Sequence, residues 1–245
     1  MSRFFVSHED IYDKEIVISA KDDIKHIKKV LRLREGNEID VSDGVEWEYR
    51  TEISEIGDDE VCLKIVDKQK FAREPKLEVS LFQGVPKAGK MELIIQKCVE
   101  LGVHEITPVF MDRTVVVEKG NFSKKLDRWQ KISDEAVKQC KRGIIPQICE
   151  KLDFSGMLEE LKNFDAVVFP YENEDNFTVK SFLRGLEQIP KSVAIVIGPE
   201  GGFSDEEAEQ MKAAGYRPVS LGKTILRTET AGMATLAMVM YELEI

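Results

Sequence analysis

The sequence predicts an α/β protein with a β-rich domain at its N-terminus and a mainly parallel sheet at its C-terminus. Short β-like runs separated by turn residues fill about the first seventy residues, a pattern typical of a small β-barrel. From Lys76 onward, strands alternate with longer helical segments, as in a parallel sheet that is covered on both faces. Two glycine-containing loops follow strands of this second domain, at the edge where open α/β sheets bind ligands.

The elements of the first domain alternate apolar and polar residues between turn signals such as Asp43-Gly44. One helix is predicted over Lys21–Leu33, because its apolar positions fall on one face and leave the lysines outside. A proline and charges in Phe71–Pro75 interrupt the pattern, which predicts domains at residues 1–72 and 73–245. The predicted strands are Arg3–Val6, Ile16–Ser19, Glu38–Ser42, Trp47–Glu55 and Val61–Asp67.

The second domain is predicted to contain five strands and five helices in alternation. The strands are Leu77–Gln83, Glu105–Val109, Ala166–Phe169, Val193–Ile197 and Pro218–Leu221. The helices are Met91–Leu101, Lys124–Lys141, Val179–Leu186, Asp205–Ala214 and Thr230–Leu243. The last helix is apolar on nearly every face, which indicates burial and makes a partner subunit a natural cover.

Composition excludes several classes of protein. The chain of 245 residues is 42% hydrophobic and 33% charged, so it can bury a core and is not a disordered chain. The uncharged run Ala231–Tyr241 is shorter than the ~20 residues of a membrane span, and the N-terminus does not resemble a secretory signal. Four cysteines without a C-x-x-C pair and three scattered histidines predict a cytoplasmic protein without a metal site.

The charge distribution leaves nucleic-acid binding open. A net charge of −10 argues against a protein that coats nucleic acid without specificity. Screening over ~8 Å nevertheless allows local basic clusters to bind phosphate, and two such clusters lie in Lys21–Arg34 and Lys119–Arg142. Each cluster is equally well interpreted as a solvated helix face.

A phosphate loop is one interpretation of Gly84–Lys90, which matches G-x-x-x-x-G-K between a strand and a helix. The next residue is Met91, where a nucleotide-hydrolysing loop needs a hydroxyl for Mg²⁺. Pro86 also removes one backbone N–H donor. The alternative is a strand-to-helix turn whose Lys87 and Lys90 face RNA.

The loop Gly198–Phe203 carries a stronger signal for a ligand site. It contains three glycines between a buried apolar strand and a helix that Ser204 and Glu207 start as a capping box. Glycine lets the backbone approach a ligand and expose its polar groups. A tight structural turn is the alternative for the glycines alone.

The segment Leu221–Ala231 also links a strand to a helix. It brings Arg227 and Glu229 to the mouth of the apolar last helix, which is an unusual place for charges. A structural ion pair or a contact of Glu229 with the helix dipole would also explain them.

These blocks resemble the ribosomal RNA small-subunit methyltransferase E family, within the knotted SPOUT methyltransferase superfamily. The resemblance spans essentially the whole chain, and Gly198–Phe203 with Leu226–Ala231 are its most specific parts. The other matching blocks are Arg3–Val6, His26–Arg32, Lys97–Val103, Ile106–Pro108, Glu135–Ala136 and Gln139–Pro146.

The resemblance implies a PUA-like β-barrel that docks on RNA and a SPOUT domain tied in a deep trefoil knot. It also implies a homodimer that uses S-adenosyl-L-methionine to methylate N3 of a uridine in 16S ribosomal RNA, position 1498 of that RNA, within the small ribosomal subunit. The cofactor-binding residues that it implies are Phe169, Pro170, Ile197, Gly198, Pro199, Glu200, Gly201, Gly202, Leu221, Gly222, Ile225, Leu226, Thr228 and Thr230.

Methylation at N3 requires removal of the imide proton and stabilisation of the negative charge left on the base. Arg142 and Arg227 are candidates for holding that anion, and Glu229 could be the base or could orient Arg227. The predicted RNA-binding residues are Arg3, Lys28, Lys29, Arg32, Lys87, Lys90, Gln139, Lys141 and Arg142. A phosphate-loop nucleotidase and a non-catalytic RNA-binding module are the rival functions.

Overall fold

The computed structural model describes residues 3–71, 74–87, 89–117, 120 and 122–244. The chain divides into two compact units. The first comprises Met1–Glu74 and Val137–Ile145, and the second Pro75–Ala136 and Pro146–Ile245. The boundary predicted between residues 72 and 73 falls on two residues outside the described ranges. The return of residues 137–145 to the first unit was not predicted from sequence.

The N-terminal unit is a five-stranded sheet in the order β1-β3-β4-β5-β2. The β1–β3 pair is parallel and the other pairs are antiparallel. Every strand contributes to one apolar core, whose largest buried side chains include Phe4, Ile16 and Ile53. The strands are β1 (Arg3–Phe5), β2 (Glu15–Ile18), β3 (Glu38–Ser42), β4 (Trp47–Ile56) and β5 (Val61–Lys70).

The predicted helix Lys21–Leu33 consists of two parts. An α-helix, α1 (Lys21–Lys25), continues as a π-helical turn over His26–Leu31. Arg32 then adopts φ 54°, a left-handed conformation that ends the helix. Ile24 and Ile27 are buried in the core as predicted, but Val30, which was expected on the same face, is 64% exposed.

Residues 137–145 are joined to the N-terminal unit by buried polar contacts. The Ser42 hydroxyl, fully buried, donates to the Gly143 carbonyl at 2.6 Å. A Cβ at Gly143 would lie 2.5 Å from the Phe71 ring, so only glycine fits there. Arg142 donates to Glu74 at 2.9 Å, and the same carboxylate accepts the N–H of Ile144.

The C-terminal unit is a parallel seven-stranded sheet in the order β12-β10-β11-β6-β7-β8, with β9 also paired to β7. Its central strands are continuous apolar runs because helices cover both faces. The strands are β6 (Glu78–Gly84), β7 (Glu105–Phe110), β8 (Gln147–Ile148), β9 (Leu152–Asp153), β10 (Ala166–Pro170), β11 (Ser192–Ile197) and β12 (Pro218–Val219).

Six α-helices begin in the described part of this unit, one of which ends at Cys140 within the N-terminal unit, and five of them were predicted to within two residues at each end. The helix that the sequence interpretation missed begins at Asp153, whose side chain accepts the N–H of Gly156. No helix among the described residues is both long and apolar enough to cross a membrane. The helices are α2 (Lys90–Glu100), α3 (Phe122–Cys140), α4 (Phe154–Glu160), α5 (Val179–Arg184), α6 (Asp205–Ala213) and α7 (Thr228–Leu243).

The predicted capping box at the start of α6 is confirmed. The Ser204 hydroxyl accepts the N–H of Glu207, and the Glu207 carboxylate accepts the N–H of Ser204. Glu207 is 2% exposed and also accepts the N–H of Asp112 at 2.8 Å. The box therefore fixes the end of the glycine loop that precedes α6.

Candidate active site

A cavity of about 680 Å³ lies at the carboxyl ends of β10, β11 and β12. Its walls are the three loops that follow these strands, together with Lys90 and Ala231 from the first turns of α2 and α7. The volume is within the range of about 300–1,000 Å³ that is usual for small-molecule sites. The strand ends place the cavity where parallel α/β sheets bind ligands.

Glycine is required in the loop after β11 because other side chains pack against its backbone. A Cβ at Gly202, whose φ is 68°, would lie 2.5 Å from the Glu172 carboxylate. A Cβ at Gly201 would lie 2.9 Å from Arg113, which donates to the Gly201 carbonyl at 3.0 Å. The loop thus presents its backbone to the cavity with its conformation held from both sides.

An aromatic cluster supports two of the three loops. Phe203, 2% exposed, packs edge-on against Phe169 with ring centroids 4.9 Å apart. Tyr171 stacks on Phe169 and also contacts Phe203. The loops after β10 and β11 are therefore anchored to the same apolar core.

Lys90 lies between two carboxylates at the edge of the cavity. Its ammonium is 3.1 Å from Glu200 and 3.2 Å from Glu229, and Glu200 chiefly, with Glu229, raises the pKa of Lys90. Partial burial raises the pKa of Glu200, but the N–H of Lys87 and the ammonium of Lys90 outweigh it and hold that pKa below its ordinary value. The cation and the amide that a phosphate loop would offer to a nucleotide are thus both bonded to carboxylates, which argues against the phosphate-loop interpretation.

The remaining charges of the cavity are of both signs. Hydrogen bonds from the N–H groups of Phe177 and Asn176 lower the pKa of Glu174, so this carboxyl is ionised at neutral pH. Acidic residues outnumber basic ones, which suits a ligand that carries positive charge. The acidic residues are Glu172, Glu174, Asp175 and Glu200, and the basic ones are Lys90, Lys223 and Arg227.

Twelve of the fourteen predicted cofactor-binding residues line this cavity. The other two do not: Phe169 is fully buried below it, and Thr230 is an exposed residue of α7. The twelve are Pro170, Ile197, Gly198, Pro199, Glu200, Gly201, Gly202, Leu221, Gly222, Ile225, Leu226 and Thr228.

The three predicted catalytic residues have different surroundings. Arg227 is exposed and lines the cavity. Glu229 is mostly buried, is not part of the cavity wall and faces Lys90. Arg142 belongs to the N-terminal unit, where it is 6% exposed and paired with Glu74.

The predicted RNA-binding residues differ in accessibility. Lys29, Arg32, Lys87 and Gln139 are exposed, as a phosphate contact requires. Lys28 instead donates to the Gly57 carbonyl and pairs with Asp58. The basic cluster Lys119–Arg142 begins at a residue outside the described ranges.

Arg3 and Lys141 lie beside a second, polar cleft of about 330 Å³ within the N-terminal unit. Arg3 is buried and is held by the Glu48 carboxylate. Lys141 has a left-handed backbone with φ 61°. Of these two, only Lys141 has a partly exposed side chain.

Sequence interpretation missed the third wall of the cavity, which runs from Tyr171 to Asp175. The rule applied to the other two loops would have found it, since this segment also follows a parallel strand. The pattern around Gly84 suggests only a phosphate loop, yet a Cβ there would lie 2.5 Å from the backbone nitrogen of Pro199. For Gln83, the usable signal is a polar residue at the end of a largely apolar strand, because a buried amide requires hydrogen-bond partners.

Comparison with known protein families gives two matches. An RNA methyltransferase domain family matches residues 73–240, and an RNA methyltransferase PUA domain family matches residues 18–66.

Among the described residues, no three His, Cys, Asp or Glu side chains are grouped so that they could hold a metal ion.

Curated relatives and solved structures agree with these matches. Ribosomal RNA small subunit methyltransferase E of Bacillus subtilis is 31% identical, with 100% of this chain and 98% of the relative covered. The protein of the same name in Mesomycoplasma hyopneumoniae is 33% identical, with 95% of this chain and 96% of the relative covered. The Neisseria gonorrhoeae enzyme of the same name, solved with bound S-adenosyl methionine, has a TM-score of 0.86 at 26% identity, covering 98% of this chain and 97% of that one.

Proposed function

The chain belongs to the ribosomal RNA small-subunit methyltransferase E family of S-adenosyl-L-methionine-dependent rRNA methyltransferases, and we propose that it methylates N3 of a uridine in 16S ribosomal RNA, at position 1498. The main observation that supports a site for this reaction is the cavity at the ends of β10, β11 and β12. We propose that this cavity holds the methyl donor.

The residues present fit such a donor. The cavity of about 680 Å³ is large enough for a small-molecule donor of this kind. The positive charge of the donor is complementary to the excess of acidic residues in the cavity walls. Gly201 and Gly202 keep the loop after β11 free of side chains, so its backbone groups can bond to the adenosine and amino-acid parts. When bound, the donor supplies a methyl group on a sulfonium sulfur.

The protein then has to position the uracil and stabilise its anion. In the proposed transfer a bond forms between N3 and the methyl carbon, the sulfur–carbon bond breaks, and the N3 proton leaves to a base. Arg227 is placed to stabilise the anion, because its guanidinium is exposed at the cavity and permanently charged.

Glu229 and Arg142 have other contacts in this structure. Because the Glu229 carboxylate faces Lys90, we propose that it contributes to the charge balance beside the cavity instead of orienting Arg227. Arg142 stays a predicted RNA contact, and the pair with Glu74 would have to open before it could touch RNA.

We propose that the N-terminal unit docks the RNA through exposed cations. Lys29 lies in the π-helical turn and Arg32 ends it, and both side chains are exposed, so their ammonium and guanidinium groups can contact phosphates. On the basis of the family, we also propose that the C-terminal domain is knotted. We propose as well that the substrate is RNA within the small ribosomal subunit. The four cysteine side chains are compatible with the cytoplasm as the site of the reaction.

We further propose a homodimer formed through α7. Three apolar side chains of α2 and α7 are exposed on this part of the unit: Leu93 is 44% exposed, Met238 36% and Tyr241 73%. Sedimentation equilibrium is expected to give twice the 27.9 kDa mass of the chain. Tyr241→Glu, which puts a charge on this face, should shift the protein to the monomer; a wild-type monomer at micromolar concentration would contradict the proposal.

The placement of the donor can be tested by calorimetric titration with S-adenosylhomocysteine. We expect the wild-type protein to bind and Gly202→Val to lose binding, because its Cβ would displace Glu172 and its φ of 68° disfavours a β-branched residue. Ala213→Val, an exposed substitution at the end of α6, is the control and should bind like wild type. Unchanged affinity in Gly202→Val would move the donor site elsewhere, and no binding by the wild type would refute the proposal.

A further inference from the structure

A continuous chain of hydrogen bonds runs below the cavity. The Gln83 amide nitrogen, at the end of β6, donates to the Thr228 hydroxyl at 2.9 Å and to the Gly84 carbonyl at 3.0 Å. The Thr228 hydroxyl in turn donates to the Gly198 carbonyl at 2.6 Å. The chain therefore ties β6 to the first residue of α7 and to the first residue of the glycine loop.

Gln83 does not line the cavity, whereas Thr228 and Gly198 both do. In the sheet, Gln83 is the partner of Ile197, the residue that precedes Gly198. The amide is fully buried, so it holds the two loops together from the core side. We infer that Gln83 is a positioning residue, which sets the spacing of the two donor-binding loops through Thr228; the inference rests on the donor site proposed above.

Stability alone does not explain why this side chain is a glutamine, because only the nitrogen end of its buried amide is hydrogen-bonded. The Gln83 amide oxygen is buried and has no hydrogen-bond partner among the residues that the structure describes. An unpaired buried oxygen destabilises a protein, and a leucine of similar size would fill the same space without one. A residue that costs stability at the edge of a site is expected where function requires it.

Gly232 of α7 supports the same conclusion. A Cβ there would lie 3.2 Å from the Gln83 amide oxygen, which is closer than most real contacts. Glycine inside a helix is less favourable than alanine. Gly232 lies one turn after Thr228. Because it has no side chain, the Gln83 amide has room to reach the Thr228 hydroxyl.

The inference is tested by a double-mutant cycle on the full-length protein, with the affinity for S-adenosylhomocysteine and the thermal midpoint measured for each variant. Gln83→Leu and Thr228→Val are each expected to weaken binding by about tenfold. Because either one breaks the chain, the double variant should bind no more weakly than the worse single variant. Thr228→Ser keeps the hydroxyl and should recover much of the affinity that Thr228→Val loses.

The thermal midpoint separates positioning from a structural role. Gln83→Leu removes two hydrogen bonds together with one unpaired buried oxygen, so it should melt close to the wild-type temperature while it binds the probe more weakly. Gln210→Leu, an exposed substitution on α6, is the matched control and should change neither quantity. If Thr228→Val does not fold, Gly232→Ala replaces it, and it should weaken binding by pressing on the Gln83 amide.

Three results would overturn the inference. Wild-type affinity in Gln83→Leu would show that the amide does not set the donor site. A lower midpoint with unchanged affinity would assign Gln83 a structural role only, and additive effects in the cycle would show that Gln83 and Thr228 act separately. Failure of the wild-type protein to bind the probe would instead refute the proposed donor site, and the inference with it.

Discussion

Replacing Arg227 with alanine is expected to lower the turnover number by about 100- to 1,000-fold, the loss that follows removal of one group stabilising developing negative charge. Arg227 lines the cavity, and no ion pair with its guanidinium is found in the described part of the chain. It therefore differs from Lys90, whose charge is offset by two carboxylates. The rate of methyl transfer to 16S ribosomal RNA under single-turnover conditions is the measurement.

The affinity for S-adenosylhomocysteine should change little in Arg227→Ala, because the proposed role is toward the uracil. Arg227→Lys retains the charge without the planar fork and should recover part of the rate. Arg217→Ala is the matched control, since this exposed arginine lies over the Phe177 ring outside the cavity wall. A rate within tenfold of wild type for Arg227→Ala would remove Arg227 from the catalytic step.

A second large effect is expected for Gly84→Ala. The added Cβ would lie 2.5 Å from the Pro199 nitrogen and 2.8 Å from the Gly198 carbonyl carbon, distances that backbone atoms cannot tolerate. The glycine loop would have to move away from β6. Donor affinity should fall by about 100-fold, toward the upper end of the roughly 1–3 kcal/mol that overpacking costs.

Gly89→Ala is the control for this variant. Gly89 has φ 80°, but a Cβ there would meet no atom within 4 Å, so only backbone strain is added. It should lower the thermal midpoint slightly and leave donor affinity intact. Equal donor affinities for Gly84→Ala and Gly89→Ala would show that close packing between β6 and the glycine loop does not shape the site.

Local patterns predicted most elements well because a strand or helix with one buried face leaves a period in the sequence. The strand Glu38–Ser42 is found with the predicted ends. The helix begun at Lys21 was predicted, but its change to π-helical geometry at His26 was not, since both kinds of turn bury Ile24 and Ile27 alike. The two-residue strands β8 and β9 are too short to show any period.

The candidate site was predictable where glycines follow a strand, and less so where distant residues meet. Nothing local to Gly84 indicates that its neighbour in space is Pro199. The three charges Lys90, Glu200 and Glu229 come from separate segments, so the sequence does not show that Lys90 lies between the two carboxylates. Such contacts depend on the order of strands in the sheet, which a single sequence does not encode locally.

The return of residues 137–145 to the N-terminal unit has a consequence for synthesis on the ribosome. Ser42 and its partner Gly143 are 101 residues apart, so the first unit cannot complete its contacts when its own strands emerge. At about 5–20 residues per second, the wait is roughly 5 to 20 s. During this interval the Ser42 hydroxyl lacks the Gly143 carbonyl that accepts its hydrogen bond, and the Phe71 ring lacks the glycine that packs against it.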